Sequence, residues 1–329
     1  MIITQTPLRI GLVGGGTDLP QYYRQHGGRV LNCAIDKYVY VIVKERFDDD
    51  IYVNYSKTEV VGKVMEIEHE LVREAMRMAS VERGVEITML ADIPSSGSGL
   101  GSSSSITVGL LQALYAYRGR QVDSEDLAEQ ACEIEIERCG KPIGKQDQYV
   151  AALGGIRDLK FGPGEEVQAD EIVLETPQLR AFQAELMLFY TGITRSADTI
   201  LREQRANVGT TLAQLGTLRD LAGRAACRLA EADINGVGRA VREGWEAKRE
   251  LASGVTTAQI DHAVTAALEA GASGAKVTGA GGGGFLLVIC PVQRQARVRE
   301  RLVNMRELPI KVDRFGSRIV LNMMREIWS

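Results

Sequence analysis

The stretch Pro94-Ser95-Ser96-Gly97-Ser98-Gly99-Leu100-Gly101-Ser102-Ser103-Ser104-Ser105 constrains this chain more than any other. An apolar, strand-like run, Val85 to Ile93, leads into it, and a helix-like run, Ile106 to Tyr117, leads out. A strand, a glycine-rich turn and a helix N-terminus make an anion site. Unpaired N–H groups converge there, the helix dipole favours negative charge, and glycine lets the backbone approach phosphate oxygens. The stretch therefore reads as a nucleotide-phosphate cradle built from Pro94, Ser96, Gly97, Ser98, Gly99, Leu100, Gly101, Ser102, Ser103 and Ser104. A flexible Gly/Ser linker would need neither the strand nor the helix. The GxxxxGK[ST] pattern is absent, so charge compensation must come from Mg²⁺ and from side chains of other segments.

A length of 329 residues suggests two domains, and 45% apolar with 25% charged residues describes an ordinary globular protein. A net charge of −4 argues against a nucleic-acid partner. Five cysteines without CxxC spacing (Cys33, Cys132, Cys139, Cys227, Cys290) fit reduced thiols of a cytoplasmic protein. Three separated histidines, His26, His69 and His262, make a weak basis for a triad or metal site. No signal pattern or membrane-length run is read, so a cytoplasmic protein without membrane association is expected.

Strands and helices mix along the chain, which predicts an α+β class, with a boundary near residue 181. Strands are expected over 2–13, broken at Pro7, over 29–46 and over 51–55, with Asp48-Asp49-Asp50 as a hairpin tip between the last two. Helices are expected over 68–80, from Ser124 to Gly140, and from about Gly144 to Leu153, with a loop over 162–170. Beyond a strand at 185–190, long helices are expected at about 196–230, 237–251 and 257–270. A strand at 285–290, a helix at 292–306 and a last strand around Val312 close the chain.

Glu133, Glu135 and Glu137 alternate on a helix, so at most one or two of them face any site, and one inward carboxylate suffices for Mg²⁺. In Pro142-Ile143-Gly144-Lys145-Gln146-Asp147-Gln148-Tyr149, Asp147 stands at a helix start, where it can be a cap or a base for a hydroxyl proton. The glycine run Gly279 to Gly284, including Gly281 and Gly282, precedes a strand. That order is wrong for a dinucleotide fingerprint and suits a close approach to a loop or nucleotide.

Pro7-Leu8-Arg9 with Gly15-Gly16-Thr17-Asp18, then Pro94 to Ser105, then Lys276 to Phe285 resemble the three ordered motifs of the GHMP small-molecule kinases. The resemblance spans nearly the whole chain. It implies a ribosomal-protein-S5-like N-terminal domain (1–181), a ferredoxin-like C-terminal domain (182–329), and ATP between them. By position, Asp147 matches the family's catalytic aspartate and Arg9 the arginine near the transferred phosphoryl. Ser103 and Glu135 match the Mg²⁺ ligands, with Glu137 the alternative if the helix is shifted, and Asp18 matches the sugar-binding aspartate.

Galactokinases carry Glu-His where Gly15 and Gly16 stand, a departure that would admit a longer, anionic sugar. Lys37, Lys145 and Arg195, the last beside Gly192 in Thr191-Gly192-Ile193-Thr194-Arg195, are candidate phosphate partners. Together these segments resemble the heptose 7-phosphate kinases of the family, which implies transfer to an anomeric hydroxyl. The expected partners are a small-molecule sugar phosphate and, at most, a second copy of the chain as a homodimer. A kinase for an unphosphorylated sugar such as fucose or galactose, and a non-catalytic sensor of the same fold, remain the alternatives.

Overall fold

The computed structural model describes residues 1–93, 97–194 and 197–323. Its strands in chain order are β1 (Ile2–Val13), β2 (Gly28–Glu45), β3 (Ile51–Asn54), β4 (Thr58–Val61), β5 (Val85–Ala91), β6 (Ile156–Phe161), β7 (Val167–Glu171), β8 (Leu186–Tyr190), β9 (Gly274–Val277), β10 (Phe285–Ile289), β11 (Arg306–Glu307) and β12 (Arg318–Asn322). The helices are α1 (Pro20–His26), α2 (Glu70–Ala79), α3 (Ser102–Tyr117), α4 (Ser124–Cys132), α5 (Gln146–Leu153), α6 (Thr176–Glu185), α7 (Ala197–Ala206), α8 (Leu212–Ala230), α9 (Ile234–Arg249), α10 (Ala258–Glu269) and α11 (Gln295–Arg301). The α+β expectation holds.

The first sheet runs β12-β1-β2-β5-β3-β4, with β6 on β2 and β7 on β6. At 18 residues β2 outruns any single neighbour. On one side its first half pairs with β6 and its second half with β5, while β1 lines the other. β5 therefore separates β2 from β3, which pairs parallel to β5, and Asp48-Asp49-Asp50 is not a hairpin tip as expected. β1 passes through Pro7 without breaking; the register shifts between Pro7 and Leu8 instead. A proline is tolerated where the ladder is already irregular.

The second sheet, β11-β8-β10-β9, is antiparallel. Its glycine run is the turn of the β9–β10 hairpin, so a strand precedes it as well as follows it. The last strand is Arg318–Asn322, and Val312 makes only a bridge to Ile35. Because β12 pairs with β1, residues 318–322 lie in the first sheet although they follow the boundary expected near 181.

Residues expected to form one helix from 196 to 230 form α7, a short 3₁₀ turn and α8. Residues 167–171 form a strand inside the expected loop. One buried cluster, with α3 against β1 and β2, extends from the first sheet through α8 and α9 to Leu188 and Leu287 of the second, and another packs α10 and α11 against the second sheet.

Candidate active site

Gly97, Gly99 and Gly101 all have positive φ (70°, 72° and 76°), which turns the chain sharply from β5 into α3. Gly101 caps α3, and no side chain caps its first-turn amides. The second glycine run abuts this turn. A Cβ on Gly99 would lie 2.7 Å from the Thr278 carbonyl oxygen, and one on Gly279 would lie 2.6 Å from the Gly99 Cα. Two turns about 180 residues apart in the chain thus meet backbone to backbone, a contact only glycine permits.

Arg9, on β1, reaches this junction. Its Nε donates to Asp147 Oδ1 at 2.7 Å, its Nη2 to Asp147 Oδ2 at 2.5 Å, and its Nη1 to the Gly99 carbonyl at 2.6 Å. The Asp147 carboxylate therefore faces the mouth of the Ser/Gly turn: a Cβ on Gly101 would stand 3.4 Å from its Oδ2.

The first turn of α5 contributes three consecutive side chains to three tasks. Gln146 donates through Nε2 to Asp18 Oδ2 at 2.9 Å, Asp147 holds Arg9, and Gln148 donates through Nε2 to Glu135 Oε2 at 2.6 Å. Gln146 is itself oriented by Asn32 Nδ2, which donates to its Oε1 at 3.0 Å.

Glu135 lies in a π-helical segment, Glu133–Arg138, that continues α4. Such segments recur at functional sites because the widened turn re-aims a side chain. The carboxylate is fully buried and accepts from the Ser103 hydroxyl. Burial pushes its pKa up to about 7, against hydrogen bonds from Ser103, Ser104 and Gln148. Glu137 is exposed, and Glu133 pairs with Arg138. Ser103 and Glu135 together are a hard-oxygen pair at the helix N-terminus, and they fit a divalent cation that also takes phosphate oxygens.

A cleft opens beside this junction, walled by Arg9, Gly15, Gly16, Asp18, Gln146, Asp147, Lys248, Lys276, Gly279 and Ala280. Asp18 is buried and accepts from the Gly16 amide at 3.0 Å and from Gln146. Burial raises its pKa, and the nearby Asp147 charge adds to the rise.

Other expected site residues fall elsewhere. The Thr17 hydroxyl turns inward and donates to the Gly14 and Arg29 carbonyls at 2.8 and 2.9 Å. Lys145 Nζ donates to Glu165 Oε2 at 2.6 Å, and Lys37 pairs with Asp36. Gly281 and Gly282 pack on Val255, whose carbonyl accepts from the Gly282 amide at 2.8 Å; Gly279 and Ala280 face the cleft instead. Gly192, at φ 73°, follows β8 with open space around it. Ser98, Leu100, Ser102 and Ser104 are buried within the turn and helix start. Pro94, Ser96 and Arg195 lie outside the described residues.

Two lysines of the cleft escaped the sequence reading. Lys248 ends the stripe Val237, Val241, Trp245 of α9, whose helical spacing faces the interior, so a lysine there stands out. Lys276 sits in β9, where all four residues are buried. Burial lowers both ammonium pKa values, that of Lys248 to about 8.

A glycine-lined anion turn at a helix start, an arginine–aspartate pair at its mouth and a buried polar cleft define a phosphotransferase that acts on an alcohol group. Residues 60–155 match the GHMP kinases N-terminal domain and residues 225–306 the GHMP kinases C-terminal domain. The chain belongs to the GHMP kinase family and has its two-domain α+β fold. It is 29% identical to the D-glycero-alpha-D-manno-heptose 7-phosphate kinase of Campylobacter jejuni over 87% of this chain and 88% of that protein. It is 28% identical to the L-fucokinase/L-fucose-1-P guanylyltransferase of Bacteroides fragilis over 94% of this chain and 37% of that protein. The crystal structure of a D-glycero-D-manno-heptose 1-phosphate kinase from Bacteroides thetaiotaomicron superimposes with a TM-score of 0.83 at 24% identity, covering 98% of this chain and 100% of that one. Among the described residues no helix is long and apolar enough to cross a membrane.

Proposed function

We propose that this protein is an ATP- and Mg²⁺-dependent sugar kinase that phosphorylates the anomeric hydroxyl of D-glycero-D-manno-heptose 7-phosphate, giving the 1,7-bisphosphate for nucleotide-activated heptose and surface polysaccharide. The observation that carries the chemistry is the Arg9–Asp147 pair at the mouth of the Ser/Gly turn. The likeness to the Campylobacter jejuni enzyme supports the acceptor.

The first-turn amides of α3 and the Gly97–Gly101 backbone hold the triphosphate. Ser103 and Glu135 would hold Mg²⁺, which would neutralise charge on the phosphate oxygens. The acceptor hydroxyl oxygen forms a bond to the γ-phosphorus, the bond from that phosphorus to the β-phosphate bridging oxygen breaks, and ADP leaves. The hydroxyl proton passes to the Asp147 carboxylate while Arg9 keeps that carboxylate in place and presents a fixed cation to the spreading charge. Asp18 and Gln146 orient the sugar from the opposite wall.

The test is an ADP-release assay with heptose 7-phosphate, heptose 1-phosphate, free heptose, fucose and galactose as acceptors. A site built for the phosphorylated acceptor should give the 7-phosphate a kcat/KM about 100-fold or more above the free sugars. Preference for a free sugar refutes the acceptor assignment, and nucleotide binding without ADP formation on any sugar points to a sensor.

A further inference from the structure

Three cations line the cleft among the described residues: Arg9 makes three hydrogen bonds of the five its guanidinium can donate, and Lys276 two of three. Arg9 holds Asp147 and the Gly99 carbonyl, and Lys276 Nζ donates to the Gly11 and Leu12 carbonyls at 2.9 and 3.2 Å, tying β9 to β1. Lys248 differs. Its ammonium is 5% exposed and makes one hydrogen bond, to the Gly279 carbonyl at 2.7 Å, leaving two donors without a partner. No carboxylate among the described residues lies within 4.0 Å of it.

Asp18 and Asp147 act on Lys248 only from beyond contact distance, and a buried cation with no ion pair in contact is costly, so such groups normally meet an anion. The ammonium lies against the backbone of Gly15, where a Cβ would stand 3.3 Å from Nζ, and lines the same cleft as Gly16 and Asp18. Gly15 has no side chain to cover it, so the space beside the ammonium belongs to whatever enters the cleft. An oxyanion there would complete the ammonium's hydrogen bonds and supply the missing charge.

We infer that Lys248 is the specificity-determining residue that holds the acceptor's own phosphate, a role for which the sequence offered Lys37, Lys145 and Arg195 as candidates. The inference rests on the phosphosugar reading above. Lys145 is paired with Glu165, and of the two cleft lysines Lys248 has the more donors to give, two against one for Lys276.

Steady-state kinetics of Lys248→Met and Gly15→Asp, with heptose 7-phosphate and free heptose as acceptors, test this. The first variant keeps the aliphatic stem and removes the charge; the second leaves Lys248 intact and sets a carboxylate beside it, at a position whose φ is not left-handed. Loss of one charge-assisted hydrogen bond should raise KM for the 7-phosphate by about 10- to 100-fold, with kcat within about threefold. KM for free heptose and for ATP should stay within about threefold. Isothermal calorimetry with the 7-phosphate and no nucleotide should show the same loss in both variants. Equal losses for both acceptors, or a loss in kcat alone, overturn the inference and leave the kinase reading standing. Wild type that turns over free heptose but no phosphosugar refutes the acceptor assignment, and the inference falls with it.

Discussion

Arg9 and Asp147, 138 positions apart in the chain, meet in a two-pronged ion pair, with Nε on Oδ1 and Nη2 on Oδ2. The third prong of the same guanidinium grips the Gly99 carbonyl, so one planar group locks the Asp147 carboxylate to the Ser/Gly turn. Lysine has no such fork.

Asp147→Asn removes the proton acceptor and one ionic partner of Arg9. Turnover is expected to fall by about 100- to 10,000-fold, the usual range for a general base, while the dissociation constant for ATP stays within about threefold. Residual activity above a few per cent of wild type in the ADP-release assay would remove Asp147 from the mechanism.

Glu135→Gln deletes the buried carboxylate at the Ser103 hydroxyl while keeping the shape that Gln148 packs against. The Mg²⁺ concentration for half-maximal rate should rise by about tenfold or more, with sugar KM nearly unchanged. Titration of Mg²⁺ at saturating ATP and acceptor checks this. An unchanged requirement would place the metal elsewhere.

Gly279→Ala drives a methyl group into the Gly99 backbone at a residue with φ 66°. Since neither backbone can yield locally, the cost should reach about 1–3 kcal/mol, read as a lower Tm, and KM for ATP should rise as the two turns separate. Gly192→Ala, also at positive φ but with open space around it, should cost less.

Lys248 links acceptor binding and stability to alkaline pH. The charges around it are Asp18 and Asp147, which favour its protonated form, and Arg9 and Lys276, which oppose it. With a folded pKa near 8 against an ordinary 10.5, the unfolded chain binds more protons between those values. This group alone therefore makes stability rise with pH across that window, and Lys248→Met should flatten the rise in urea unfolding. KM for the phosphosugar should climb as pH passes about 8, because the ammonium is lost there.

Local rules made the Ser/Gly turn legible, offered Asp147 as a cap or a base and left Glu135 as one of three alternating acids, whereas Arg9 and Asp18 stood out only through the resemblance to the family's motifs. Glycines with positive φ, serines at a helix start and an acid in a first helical turn announce themselves within a few residues. Lys248 was not legible in that way. It comes from a helix of the second half, and only its place on the inward stripe of α9 hints that it is buried. The insertion of β5 between β2 and β3 was hidden for a related reason: Asp48-Asp49-Asp50 reverses the chain, but no local residue says that a third strand will occupy the gap.

The opening turn of α5 bonds through Gln146 to Asp18, through Asp147 to Arg9 and through Gln148 to Glu135. A substitution that tilts this turn must disturb acceptor affinity, reaction rate and cation affinity together. A side chain at Gly15 would reach the same anchor, since its Cβ would stand 3.6 Å from Gln146 Nε2, whereas Lys248 comes from α9, outside that turn.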